Sequence, residues 1–166
     1  MKYYGIKQFV SVLTIILFTF IADYYFREVN VGIESVVLKQ LIMFIGISIL
    51  LFVCNQLIYN YAKKAEGFMQ HKVWDKMFIL IIIWLMISFV VFIFLFFATP
   101  LGDLISSSTW ILFIVSYYFL FFINLLILSI VHIFVDNSLK VEKKLLITWA
   151  SSSLPVALTL FVLPSF

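Results

Sequence analysis

Four stretches of this chain contain no Asp, Glu, Lys or Arg: Gln40 to Ala62, Met77 to Gly102, Leu104 to Val135 and Leu145 to Phe166. Each is longer than the roughly 20 residues a helix needs to cross a bilayer core. A soluble domain is excluded on the same ground. Of the 166 residues, 65% are hydrophobic and 11% charged, whereas ordinary domains run about 45–50% apolar and about 25% charged. The expected fold is all-α, a polytopic helical membrane bundle forming a single integral membrane domain over 1–166. No gap between the apolar runs is long enough for a separate soluble domain, since domains begin near about 50 residues.

Five transmembrane helices follow from the pattern. The first covers about 6–26. Lys2 and Lys7 ahead of it resemble a signal peptide, but Phe20 and Asp23 spoil the small-residue cleavage pattern around Ala22, so an uncleaved helix is expected. Tyr3 and Tyr4 at one end and Tyr24 and Tyr25 at the other suit two interfacial belts about 30 Å apart. The second span, 37–61, ends where Lys63 and Lys64 meet Gly67, a helix-stop signal. The third, 77–99, has Ser88 as its polar interior residue and stops at Pro100 and Gly102. The fourth covers 109–135 and the fifth 145–163. Ser151, Ser152, Ser153 and Pro155 sit near the middle of the last. That leaves an alternative of four helices plus a re-entrant C-terminal segment, although re-entrant backbone must be shielded by protein or water.

Orientation follows from the basic residues of short loops. With the N-terminus inside, Lys2, Lys7, Lys63, Lys64, Lys72, Lys76, Lys140, Lys143 and Lys144 are cytoplasmic, and only Arg27 and Lys39 face outward, nine against two. The loops 62–76 and 136–144 are then cytoplasmic and the C-terminus lies outside. Ten lysines against one arginine, with abundant Phe, Ile, Asn and Tyr, suggest an AT-rich gene and so the cytoplasmic (inner) membrane of a low-GC bacterium.

Ionisable and polar groups within spans are the default functional candidates, because each is costly at membrane depth. Stepping 100° per residue, Tyr117, Tyr118, Asn124, Ser129, His132 and Asp136 share a sector of about 140° on the fourth span. That sector is expected to face the bundle interior, either as hydrogen-bonding glue or as the lining of a narrow aqueous path. His132 and Asp136, four apart, are placed to interact. On the fifth span Thr148, Ser152, Pro155 and Thr159 form a seam suited to close helix packing. Tyr117, Asn124, His132, Asp136, Ser152 and Pro155 are therefore the candidates for a polar interior or pore lining. Asp23 and Arg27, also four apart, are expected to form an interfacial ion pair.

The loop 62–76 combines Lys63, Lys64, Lys72 and Lys76 with Phe68, Met69 and Trp74. Basic residues beside aromatics suit anionic headgroups, where each lysine gains about 1 kcal/mol, and the same residues suit a soluble protein partner. Lys63, Lys64, Phe68, Lys72, Trp74 and Lys76 are the candidate contacts.

Several function classes are disfavoured. The lone cysteine, Cys54, excludes an intrachain disulfide and a cysteine metal cluster. His132 and His71 are too few for zinc chemistry, no cofactor is implied, and no basic surface suits nucleic acid. An intramembrane cysteine protease would need a base beside Cys54, and nothing in the spacing supplies one. No catalytic constellation is visible, so an enzyme is not expected. Two classes remain. One is a small non-catalytic membrane subunit, a sensor, scaffold or immunity protein of the layout found in phage-defence or toxin-immunity systems, working through homo-oligomerisation and a cytosolic partner. The other is an oligomeric pore or small transporter lined by the fourth and fifth helices.

Overall fold

The computed structural model describes residues 2–29, 32–65, 67–135 and 139–162. The side chains of Lys2 and Tyr3, and the whole of Asp136 and Leu163, lie outside the described residues. The chain is a helical bundle with no strand among the described residues. In order, the helices are α1 (Lys2–Tyr24), α2 (Val36–Lys64), α3 (Trp74–Ala98), the short α4 (Leu101–Ser107), α5 (Thr109–Phe134) and α6 (Val141–Phe161). All but α4 are long and apolar enough to cross a membrane, the architecture of a multi-pass membrane protein.

Local sequence explains the breaks. The first span is prolonged past Tyr24 by a wider π-type turn over Tyr25–Val29. Ser35 caps α2 by accepting a hydrogen bond from the Leu38 N–H. The helix ends at the expected place: Lys63 and Lys64 occupy its last turn, and Gly67 takes φ 76°, a left-handed geometry open to glycine at no steric cost. Thr99 and Pro100 stop α3. The segment after Pro100, between the third and fourth expected spans, forms α4.

Pro155 does not break the last helix. α6 runs unbroken from Val141 to Phe161, so the re-entrant alternative is not what forms. Proline removes one backbone donor and crowds one carbonyl; the helix bridges that single gap.

Four helices close into a ring, α1 on α2, α2 on α6, α6 on α5 and α5 on α1, and α5 also reaches α2 across the centre. α3 lies outside the ring, packed on α5. It has the highest mean hydropathy of the five, 3.2, and among its residues only Trp74 and Ile81 are buried. Tyr118 fastens it: its hydroxyl accepts from the Trp84 indole N–H at 2.8 Å and lies 2.8 Å from Ser88 Oγ.

Burial is strongly polarised along the bundle. The buried residues of α2 run from Leu50 to Ala62, those of α5 from Asn124 to His132, and those of α6 from Lys144 to Ser153. All three sets converge on the end that carries Lys63 and Lys64, termed here the basic end. In the opposite half the helices part around a mostly apolar crevice of about 490 Å³, lined by Phe18, Tyr25, Met43, Gly46, Phe113 and Tyr117 among others. Above it, Arg27 Nε bonds Asp23 Oδ1 at 3.1 Å and Thr109 Oγ1 at 3.2 Å, and the Thr109 hydroxyl donates to Asp23. The expected ion pair is present, and Thr109 extends it into a tie between α1 and α5.

Candidate functional site

The densest group of buried polar side chains lies between α2, α5 and α6 at the basic end. Asn124 is at its centre, with no solvent exposure. Its Nδ2 donates to Asn55 Oδ1 at 2.8 Å, and its Oδ1 accepts from the Ser152 hydroxyl at 3.0 Å. Asn55 Nδ2 in turn donates to the Leu145 carbonyl at 3.3 Å. Three helices are thus joined through one amide. In an apolar medium an unpaired amide is costly, so this chain of hydrogen bonds fixes the helices' rotation about their axes as well as their spacing.

A second group lies about two turns nearer the basic end, eight residues along each helix from Asn124 to His132 and from Ser152 to Lys144. Lys144 is 1% exposed, and its Nζ lies 3.2 Å from His132 Nδ1. Which of the two nitrogens donates depends on the imidazole tautomer. The Trp74 ring covers the imidazole, with centroids 5.6 Å apart. Thr148 donates to the Lys144 carbonyl at 2.8 Å. Beneath these groups Ile58, Met69, Trp74, Leu128 and Leu145 form one apolar cluster.

The interior is closed at this level: Leu51, Leu128, Asn124, Ser129 and Thr148 are each at most 1% exposed. Asn55, Asn124 and Ser152 bond one another across helix contacts, whereas the buried Ser129 Oγ and Asn60 Nδ2 find no partner among the described residues.

The candidates from sequence divide accordingly. Asn124, His132 and Ser152 meet in the buried groups just described. Tyr117 is separated from them and lines the apolar crevice in the other half, beside Ser116. Tyr118 turns to α3. Asp136, expected to partner His132, lies outside the described residues. Pro155 needs correction: it is exposed rather than interior. At that height the crevice is lined from α6 by Val156, Thr159 and Leu160, which turns Pro155 to the outer surface.

Trp74 requires the larger correction. Proposed from sequence as a contact for lipid or a partner, it is 3% exposed. The loop after α2 folds back through a single 3-10 turn, Phe68–Gln70. Phe68 stacks edge-on between Tyr61 and Trp74, with centroids 5.1 Å from each. Apolar residues beside lysines here serve the protein's own core. Lys63, Lys64, Lys72 and Lys76 remain exposed, while Phe68 is half-buried. Lys64 lies over the Tyr4 ring at 4.7 Å.

Lys144 was missed as an interior residue, since its neighbours in sequence are solvated lysines. A signal existed: the polar seam Thr148–Ser152, extended four residues toward the N-terminus, lands on Lys144. Glu142, whose Oε1 accepts from the Tyr59 hydroxyl at 2.6 Å, had no such signal.

Cys54 is buried, whereas His71 is exposed in the loop with its Nδ1 accepting from the Val73 N–H. The thiol and that imidazole have different surroundings. Among the described residues no group of three or more His, Cys, Asp or Glu side chains is placed to hold a metal ion.

No protein-family model matches this chain, and neither does a curated protein or a solved structure.

Proposed function

We propose that the chain is a non-enzymatic integral membrane subunit of a bacterial cytoplasmic membrane, assembled with copies of itself and acting through a cytosolic protein at its basic end. In this reading the N-terminus is cytosolic and the C-terminus is outside, which the nine-to-two division of basic residues supports. The roles that fit are sensor, scaffold or immunity protein, as in phage-defence or toxin-immunity systems.

One observation carries the reading. Lys63, Lys64, Lys72 and Lys76 are exposed on a segment whose Met69 and Trp74 are locked into the core. The lysines are thereby displayed from a fixed base rather than a loose loop. Pre-ordering of that kind lowers the entropy cost of association. Beneath it Asn55, Asn124 and Ser152 are engaged with one another, which favours a structural role over a catalytic one.

The second reading, an oligomeric pore or small transporter lined by α5 and α6, draws on the crevice in the opposite half and its Ser116, Tyr117 and Thr159 hydroxyls. Reconstitution separates the two. Proteoliposomes of the purified chain should pass ions no faster than protein-free vesicles. Conductance that rises with protein content and changes on Tyr117→Ala would establish the pore and remove the subunit reading.

A further inference from the structure

A groove of about 390 Å³ runs down the outer side of the bundle between α2 and α6, starting at the basic end. Its volume falls within the range of about 300–1,000 Å³ typical of small-molecule sites. The two walls share one register. Phe52, Gln56 and Tyr59 line it from α2, and Glu142, Leu146 and Trp149 line it from α6, each set at i, i+4 and i+7 on one helix face.

Polarity changes along its length. At the basic end the Tyr59 hydroxyl bonds the Glu142 carboxylate at 2.6 Å. Lys63 follows four residues after Tyr59, exposed, with Nζ 5.8 Å from the Tyr59 ring centroid. Lys143 follows Glu142 in α6 and is also exposed, so this end of the bundle carries two exposed ammonium groups beside one carboxylate. About 10 Å further along, at 1.5 Å per residue from Glu142 to Trp149, the walls become aromatic. Phe52 and Trp149 meet edge-to-face with centroids 6.5 Å apart. The Trp149 N–H is held by the Ser48 carbonyl at 3.0 Å, which fixes the ring. Leu146 stands open on the rim, 67% exposed.

This is the shape and charge order of an amphiphile lying along the bundle: a negative head where the lysines are and a hydrocarbon tail along the aromatic end. We infer that the groove binds one acidic phospholipid of the adjoining leaflet, its phosphate against Lys63 and Lys143 and one acyl chain against Phe52, Leu146 and Trp149. The charge complementarity selects an acidic lipid over a zwitterionic one, and the inference stands independently of any protein partner.

The test is native mass spectrometry of the delipidated chain with phosphatidylglycerol and with phosphatidylcholine of the same chain length. The wild type should retain one phosphatidylglycerol in preference to phosphatidylcholine. Joint Lys63→Gln and Lys143→Gln should weaken retention about 30-fold, from about fivefold per lysine. Leu146→Trp, which fills the groove and leaves both lysines, should also reduce it. Joint Lys72→Gln and Lys76→Gln removes the same charge from the same end and should change nothing. All four lysines are exposed, so folding is preserved in these variants, and far-UV circular dichroism verifies it. Equal retention of the two lipids would overturn the inference. So would equal losses from the two lysine pairs, which would mark a diffuse surface attraction.

Discussion

Lys144 Nζ lies 3.2 Å from His132 Nδ1, with the lysine 1% and the histidine 7% exposed. The neighbouring Lys143, identical in charge and one residue away, is exposed. A step of 100° around the helix separates a solvated lysine from one buried against His132 of α5.

That contrast is directly measurable. Lys144→Ala should lower stability by about 1–3 kcal/mol, the cost of leaving a buried polar partner unpaired, whereas Lys143→Ala should change it by less than about 0.5 kcal/mol. Denaturant titration in mild detergent, followed by circular dichroism, reads both. Equal effects would place the two lysines in equivalent surroundings and contradict the geometry.

Asn124 should be the most sensitive polar position in the bundle. Its truncation to Ala strips partners from both Asn55 and Ser152, so a loss of about 1–3 kcal/mol is expected. Ser152→Ala removes one bond and should cost about 0.6 kcal/mol, the average for such contacts in membranes. The same titration checks the order. A larger loss at Ser152 than at Asn124 would reverse it.

Trp74→Ala should destabilise the chain by about 3–5 kcal/mol, as for other buried aromatics, and Lys72→Ala should leave stability nearly unchanged. A readily folded Trp74→Ala variant with wild-type stability would mean the ring is not part of the core.

Most of the architecture was legible in the sequence because charge-free length is a one-dimensional property. The five long helices and the stop at Gly67 follow from it. What sequence left open was rotation. The residues of the expected polar sector of α5 end on different neighbours: Tyr117 lines the crevice, Tyr118 bonds Trp84, and Asn124 bonds Asn55 and Ser152. Trp74 was misread for a related reason. Trp74 beside lysines has the composition of a headgroup belt, and only the fold-back that stacks Phe68 between Tyr61 and Trp74 turns the ring inward. Lys144 was hidden by the lysine next to it.

Orientation has its own test. In a Cys54→Ser background, Lys64→Cys and Lys140→Cys should react with a membrane-impermeant maleimide only after permeabilisation, and Ser107→Cys should react in intact cells. Reaction at Lys64→Cys from outside, with Ser107→Cys protected, would invert the topology.

The proposal that the chain works by contact at its basic end is tested most directly by quantitative co-purification from native membranes. The wild type would be compared with a variant carrying Lys63→Gln, Lys64→Gln, Lys72→Gln and Lys76→Gln, four exposed positions away from the buried core. A soluble protein should accompany the wild type in fixed ratio and be lost at least tenfold in the variant, while both chains insert equally. Recovery of no soluble protein with the wild type, or equal recovery with both chains, would contradict it.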